Sequence, residues 1–360
     1  MSLSSLSSLS DFEDIDFPRR PRRRILDRVN LWEKHDGEDF RVRYRLSKDI
    51  AVQICGRLDL EPITRRNKAI DGMNQLLICL RFFATGSFHQ VVGDISNIHK
   101  STICRIVQRV TGKLANLSTE YIKMPDRQEI RRVAEGFYQI AGFPKVAGAL
   151  DCTHVKIVSR GGSLSELYRC RKGYYSINVQ VVCDSSLKIR DIIARWPGSV
   201  HDSTIFNNSH LCAEFECGNY NPYYLLGDSG YFNRSFLLTP FLNPQNNAEE
   251  AYNKSHISTR NTVERCFGVL KRRCPCLERG ITLKKTSTIL QVIVACAVLH
   301  NICIDLDEIE PPADIEINQI TSEDLPIEAT SQLTHSAVRS SIVRINFIFI
   351  KLHFEVVLFF

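Results

Sequence analysis

The hydrophobic pattern of this chain changes its period near residue 145. Before that point apolar residues recur every three or four positions, as they do on one face of a helix, and Leu76, Leu77, Leu80 and Phe83 are an example. After that point short apolar runs alternate with turn-forming residues, which is typical of strands. A helix buries every third or fourth side chain, whereas a strand with one buried face buries every second one. The chain is therefore predicted to combine a helical N-terminal part with a later part built on a sheet.

The strand pattern indicates an α/β fold with a mixed sheet. Three apolar runs follow one another, a connection and a fourth run come next, and a short fifth run precedes two helical segments predicted at 256–273 and 286–304. This order predicts a mixed sheet flanked by helices and does not fit an alternating βαβ barrel. The five runs are KVAGALDCTHVKIV, YYSINVQVVCD, LKIRDIIARW, NPYYLLGDSGY and SFLLTPF.

Composition divides the chain into five predicted segments. The first is a flexible arm whose arginines, Arg19 to Arg24, are interpreted either as a nuclear-import or phosphate-contacting patch or as solvated charge. The segments are an arm at 1–40, a helix-turn-helix-like domain at 41–140, a sheet domain at 145–304, an acidic linker at 305–340 and a hydrophobic C-terminus at 341–360.

The hydrophobic C-terminus, residues 341–360, is atypical because its apolar run contains charged and titratable residues. It is interrupted by Arg344, Lys351, His353 and Glu355. Because a charged residue costs ~3 kcal/mol near the bilayer centre, we expect no membrane span here. We favour a mispredicted exon as its origin over an amphipathic strand or a tail anchor.

A helix-turn-helix is predicted within the N-terminal part. A short apolar helix reaches a turn at Ser96-Asn97, and a second helix begins near Lys100. Ser101 or Thr102 is expected to cap this second helix, which could enter a major groove. An ordinary helical hairpin that packs on the next domain remains the alternative. The expected DNA-binding residues here are Lys100, Ser101, Thr102 and Arg105.

Charge and cysteine content limit the partners and the compartment. The net charge is only +6, but residues 305–360 hold ten acidic and three basic residues, so the preceding part carries +13. A basic body favours a polyanionic partner. The 13 cysteines are scattered and odd in number, which is typical of reduced thiols in a cytosolic or nuclear protein.

Four acidic residues lie inside or next to predicted strands and helices, at positions where a carboxylate could have a function. Asp151 interrupts the first apolar strand, and Asp228 ends the fourth beside two glycines. Glu264 lies next to the buried stripe of a predicted helix, and Asp202 lies at a plausible helix N-terminus. Converging carboxylates repel one another, so a cluster of these acids implies raised pKa values or a bound divalent cation. Hard oxygen ligands favour Mg²⁺ or Mn²⁺.

Each acid also has a structural interpretation. Asp202 could cap a helix, Asp228 could shape a turn, and Glu264 could pair with Arg260 or Lys271. The spacing alone leaves these alternatives open.

These acids stand in blocks that resemble a known family. GALDCTHVKI, RKGYYSINVQVVCD, WPGSVHDSTIFNNS, LLGDSGYF, LLTPF and NTVERCFGVLKRR, in this order, are similar to the harbinger-type (PIF/Harbinger) DDE transposases and to the vertebrate nucleases derived from them. The resemblance covers about residues 40–305. It implies an RNase H-like catalytic domain with a catalytic triad of Asp151, Asp228 and Glu264.

The resemblance also implies chemistry and partners. Asp202 matches a recurrent family acid and joins the triad as a metal ligand, with Mg²⁺ or Mn²⁺ as the cofactor. The implied activity is two-metal hydrolysis of DNA phosphodiester bonds. Lys271, with Lys156, Arg169, Arg171 and Lys172, could line a DNA channel, or these residues could be merely solvated.

The family further implies a Myb/SANT-like DNA-binding partner, a possible homo-oligomer, and residence in the nucleus and cytoplasm. The competing hypothesis is a domesticated, catalytically silent factor that binds DNA or protein together with such a partner.

Overall fold

The computed structural model describes residues 27–62, 69–159, 161–162, 165–311 and 337–348. The arginine cluster of the arm, most of the acidic linker and residues 349–360 lie outside these ranges. In the described ranges the predicted order is confirmed, with helices first and a mixed sheet flanked by helices after them.

The N-terminal part is helical, as the period of its apolar residues predicts. The longest helix, α5, packs on α3 and α4 through Ile103, Ile106 and Val110. The helices are α1 (Gly37–Tyr44), α2 (Lys48–Leu58), α3 (Gly72–Thr85), α4 (His89–Ser96), α5 (Lys100–Asn116), α6 (Ser118–Tyr121) and α7 (Glu129–Ala141).

The turn predicted at Ser96-Asn97 lies between α4 and α5, but the N-terminal cap of α5 is not one of the predicted residues. Asn97 ends α4 in the left-handed conformation, with φ 55°. The cap of α5 is His99, whose Nδ1 accepts a hydrogen bond from the backbone N–H of Ser101 at 3.2 Å. The prediction that Ser101 or Thr102 caps the helix is wrong, because both residues already belong to its first turn.

The five predicted strands form one mixed sheet. They are β1 (Val146–Lys156), β2 (Ser176–Cys183), β3 (Ile189–Pro197), β4 (Tyr224–Leu226) and β5 (Leu237–Leu238), in the spatial order β3-β2-β1-β4-β5. The β1–β2 and β2–β3 pairs are antiparallel, whereas β4 is parallel to both β1 and β5. This is the RNase H-like arrangement that the resemblance implies.

The parallel pairing of β1 with β4 sets the position of two acids. Ala149 pairs with Leu226, so Asp151 and Asp228 each lie two residues beyond a paired position. Because β1 and β4 run parallel, both acids lie at the same level of the sheet, just beyond the C-terminal end of β4.

Helices cover both faces of the sheet. On one face α8 (Asp202–Asn207) and α9 (His210–Glu216) enclose a small apolar cluster around Leu150 and Phe206. On the other face lie α10 (Asn247–Arg273) and α12 (Thr286–Asp305), and α11 (Cys276–Arg279) connects them. The helix predicted at 256–273 begins earlier, because the Asn246 side chain accepts hydrogen bonds from the N–H groups of Ala248 and Glu249.

The helix α12 is long and apolar enough to cross a membrane by length and composition. Most of its length is buried, against α5 and β3. Its apolar character therefore serves the core that joins the helical part to the sheet.

The described part of the C-terminus is helical. A helix, α13 (Ala337–Ile342), continues into a π-helical turn at Val343–Ile348, which packs on α10. Phe347 contacts the rings of Phe143 and Tyr252, with centroids 6.2 and 5.8 Å away. The amphipathic-strand alternative is therefore wrong for residues 341–348.

The buried His256 on α10 makes stability depend on pH. Its Nε2 donates to the carbonyl oxygen of Leu238 at 2.9 Å, and burial lowers its pKa to about 4, with Arg260 and Arg339 acting in the same direction. Below pH 6.5 this histidine binds a proton in the unfolded chain but stays neutral in the folded chain. The free energy of unfolding therefore decreases as the pH falls from 6.5 toward 4.

We expect His256→Gln, which can still donate to Leu238, to remove this loss. The difference in unfolding free energy between pH 7 and pH 4.5 should shrink by about 2 kcal/mol relative to the wild type. Urea unfolding at both pH values measures it. An unchanged difference would contradict a neutral, buried His256.

Candidate active site

Asp151 lies in the middle of the central strand β1, where two donors hold its carboxylate. Its Oδ1 accepts from the backbone N–H of Cys152 at 2.7 Å, and its Oδ2 accepts from Nη1 of Arg260 at 2.9 Å. The side chain is only 17% exposed. Burial, assisted by the nearby charges of Asp228 and Asp202, raises its pKa to about 7 despite these donors. The site thus disfavours the charged form of Asp151, and the single guanidinium of Arg260 does not fully offset this effect.

Asp228 follows β4, and its side chain accepts a hydrogen bond from the backbone two residues further on. Its Oδ1 accepts from the backbone N–H of Gly230 at 2.9 Å. A side chain at Gly230 would meet this carboxylate, since an added Cβ would lie 3.1 Å from Oδ1. Burial raises the pKa of Asp228, and the charges of Asp202 and Glu264 raise it further. The glycine therefore leaves room for an acid that its surroundings disfavour in the charged form.

Asp202 begins α8, and its carboxylate is positioned by a residue that the sequence patterns did not single out. Asn178 of β2 donates through Nδ2 to Asp202 Oδ1 at 2.7 Å and to the carbonyl oxygen of Val200 at 2.9 Å. Asn178 is 1% exposed, so this orientation is fixed by packing. The N-terminal cap of α8 is His201, and the cap interpretation of Asp202 is wrong. A polar residue inside the apolar run SINVQVV was the available signal.

Glu264 lies on α10, one turn beyond Arg260. Its Oε1 accepts from Arg260 Nη2 at 2.6 Å, and its side chain is 53% exposed. One guanidinium therefore contacts both Asp151 and Glu264. The predicted alternative of a pair between Glu264 and Arg260 exists in the structure, whereas Lys271 does not pair with Glu264 within the described residues.

The electrostatic couplings show which predicted residues are brought together. Asp228 and Asp202 raise the pKa of Asp151, and Asp202 and Glu264 raise that of Asp228. The four carboxylates therefore act on one another from β1, the end of β4, α8 and α10. Among the described residues, however, no three of them are arranged at metal-binding distance.

The donor chemistry nevertheless fits a hard divalent cation. All four side chains offer oxygen, and two of them have raised pKa values because of burial and like charge. Arg260 supplies the positive charge between Asp151 and Glu264. A metal would need the carboxylates to turn from this guanidinium toward the ion.

A basic cluster lies beside the acids and consists of Lys156, Arg171, Lys172 and Lys271. Burial lowers the pKa of His154. The charges of Arg171, Lys172 and Lys271 act in the same direction and that of Asp202 opposes them, so the cluster and the acids act on the same side chain. Burial lowers the pKa of Lys271, with the charges of Lys156 and Lys172 acting in the same direction. Such mutual repulsion favours a polyanionic ligand.

Arg169 is different from this cluster. It is bound to Glu166 through two nitrogens, at 2.7 and 3.0 Å, and to the Tyr175 hydroxyl. Its charge is already compensated, so the predicted place of Arg169 in a DNA channel lacks support.

The helix-turn-helix residues lie on a separate element. Lys100, Ser101 and Arg105 are exposed on α5, and Thr102 is half-buried. The helix packs on α3 and α12, whereas the acids come from the sheet, α8 and α10. These residues belong to a second surface, and their contact with DNA remains a prediction.

The repulsion among the acids predicts that removing one of them stabilises the metal-free protein. We expect Asp228→Asn to raise the unfolding free energy in EDTA at pH 8, because the amide removes one of the buried, mutually repelling negative charges. Thermal or urea unfolding measures the change. Asp94→Asn, at an exposed acid on α4, is the control and should have little effect; a destabilised Asp228→Asn would contradict the repulsion.

Comparison with known proteins agrees with this geometry. A family model described as DDE superfamily endonuclease matches residues 150–301. The human protein "Putative nuclease HARBI1" is 34% identical over 87% of this chain and 94% of its own length, and the rat protein of the same name is 35% identical over the same shares. "Protein ALP1-like" of Arabidopsis thaliana is 24% identical over 65% of this chain and 61% of its own length.

No solved structure matches the chain significantly. The matched span begins just before Asp151 and ends within α12, so it contains the strands and the helix that carry all four acids. With its RNase H-like sheet and its similarity to the HARBI1 proteins, this chain belongs to the harbinger-derived branch of the DDE superfamily of endonucleases.

Proposed function

We propose that this protein is a divalent-metal-dependent DNA endonuclease that hydrolyses phosphodiester bonds by a two-metal mechanism. The observation that carries the proposal is the set of four mutually repelling carboxylates, Asp151, Asp202, Asp228 and Glu264, beside the basic cluster. A cation relieves the repulsion among the acids, and DNA phosphates neutralise the lysines and the arginine. The family membership supports the same reaction class.

The four carboxylates would hold Mg²⁺ or Mn²⁺. Bound there, the metal pair would activate a water molecule and stabilise the leaving oxygen of the broken phosphodiester bond. Asp151, Asp228 and Glu264 are the proposed catalytic residues, and Asp202 is the fourth ligand.

The remaining residues position these ligands and the substrate. Asn178 fixes the direction of the Asp202 carboxylate, and the Gly230 N–H fixes that of Asp228. The basic cluster would bind the DNA backbone through phosphate contacts that carry no sequence information. Lys100, Ser101, Thr102 and Arg105 on α5 would contact DNA on the second surface.

The Myb/SANT-like partner, the possible homo-oligomer and the nuclear and cytoplasmic location rest on the family resemblance. Exposed Lys100 and Arg105 are compatible with DNA binding by the chain itself, so the partner would add sequence specificity.

The second candidate function is a catalytically silent DNA- or protein-binding factor. One observation favours it: Arg260 already pairs with Asp151 and Glu264, two of the three triad residues. If this pairing is permanent, the acids are structural and the basic surfaces remain available for binding.

Cleavage of DNA distinguishes the two candidates. We expect purified protein with Mg²⁺ or Mn²⁺ to cut labelled duplex DNA, and Asp228→Asn to remove the activity. Glu264→Gln is expected to do the same. Cleavage that persists unchanged in Asp228→Asn would contradict the assigned triad, and DNA binding without cleavage by the wild type would favour the silent factor.

The Asn178 contact gives a graded test of the same site. Asn178→Ala removes the donor that orients Asp202 and is expected to lower the cleavage rate roughly 10–100-fold, the usual effect of losing a partner of a metal ligand. The circular dichroism spectrum should be unchanged. A rate equal to that of the wild type would show that Asp202 needs no positioning.

Phosphate contacts by the basic cluster are tested through salt dependence. Lys271→Ala is expected to weaken DNA binding equally for all sequences and to reduce the slope of log K against log [salt] by about one. Arg131→Ala is the matched control, since Arg131 on α7 is 81% exposed and pairs with Glu135. An equal effect of both substitutions would indicate unspecific attraction by net charge.

A further inference from the structure

The guanidinium of Arg260 occupies the space between two of the proposed metal ligands. Nη1 donates to Asp151 Oδ2 at 2.9 Å, and Nη2 donates to Glu264 Oε1 at 2.6 Å. The Arg260 side chain is only 15% exposed. In the described part of the chain, both ion pairs made by the four acids come from this one residue.

The helix α10 fixes this arrangement. His256, Arg260 and Glu264 follow one another at intervals of four residues and therefore share one face of the helix. His256 anchors that face to β5 through its bond to the Leu238 carbonyl oxygen. The guanidinium is thus presented to β1 by a rigid element and does not depend on a loop.

Arg260 offsets the repulsion within the acid cluster. Its charge lowers the pKa of Asp151 and that of Asp228, against the effect of burial and of the neighbouring acids. A buried carboxylate that loses its only cationic partner is strongly disfavoured. Arg260 therefore provides the positive charge that a metal provides in the loaded site.

We propose that Arg260 is a resident counter-ion that metal must displace. The inference rests on the proposed function, because it concerns how the same carboxylates receive their cation. A divalent ion bound at Asp151 and Glu264 would meet the guanidinium at close range, and the two cations repel. Metal binding therefore breaks at least one of the two ion pairs, and Arg260 lowers metal affinity while it stabilises the metal-free fold.

This exchange explains why the carboxylates are close enough to repel one another and yet do not form a three-ligand metal group among the described residues. Two oxygens are turned toward Arg260. The paired state is then the metal-free resting state, and the pairing does not by itself make the protein catalytically silent.

Mn²⁺ binding to the full chain tests the exchange without reference to activity. In isothermal titration calorimetry, Arg260→Gln is expected to bind Mn²⁺ roughly tenfold more tightly than the wild type. Arg260→Lys, which keeps a charge but loses the two-nitrogen fork, should lie between them. The melting temperature of Arg260→Gln should be lower than that of the wild type in EDTA and should recover more on addition of Mn²⁺.

Arg265→Gln is the matched control. Arg265 is exposed on the same helix, next to Glu264, and its substitution removes the same net charge without breaking either ion pair. We expect its Mn²⁺ affinity to stay near that of the wild type. An equal gain in Arg265→Gln and Arg260→Gln would overturn the exchange, because net charge would then explain both.

Other outcomes separate this inference from the proposed function. Equal or weaker Mn²⁺ binding by folded Arg260→Gln overturns the inference alone, provided that Asp228→Asn weakens binding in the wild-type background. Binding that Asp228→Asn leaves unchanged contradicts the proposed metal site and the inference together. Circular dichroism of each variant confirms that the fold is retained.

Discussion

The charge balance around Asp151 is the constraint on which the site depends. A carboxylate in the first strand of an apolar sheet costs free energy unless a cation compensates it. In the metal-free chain that cation is Arg260, and the pKa of Asp151 is nevertheless raised to about 7. Asp202, Asp228 and Glu264 add negative charge around this point, and the Asn178 side chain and the Gly230 N–H orient two of these carboxylates.

The fold delivers this charge through two long-range relations. Parallel pairing of β1 with β4 brings Asp228 to the same level of the sheet as Asp151, although 76 residues separate them along the chain. The 27-residue helix α10 then packs on β1, so that Arg260 contacts Asp151 from one face of the sheet and Glu264 lies beside Arg260. Asn178, on the neighbouring β2, directs Asp202 to the same place. The site is thus a product of sheet order and helix placement.

Much of the fold follows from periodicity. The five apolar runs became the five strands, and the helix predicted at 286–304 became α12. Errors occurred where a short-range contact decides the end of an element. The cap of α5 is His99, because its imidazole nitrogen accepts a hydrogen bond as a serine oxygen would. The Asn246 cap starts α10 at Asn247, nine residues before the predicted start at 256. Apolar periodicity reports burial and cannot locate such polar ends.

The sequence by itself determined the α/β class of the fold and the four candidate acids, because these depend on local patterns of apolar and charged residues. It also determined the family, because the family is recognised from ordered blocks of residues. Only the tertiary structure decided which cation those acids face. Arg260 lies 109 residues from Asp151, and the two meet only because α10 packs on β1. The choice between Arg260, Lys271 and a metal as partner depends on distances of a few ångströms between elements, and the Coulomb energy that ranks these partners varies with those distances.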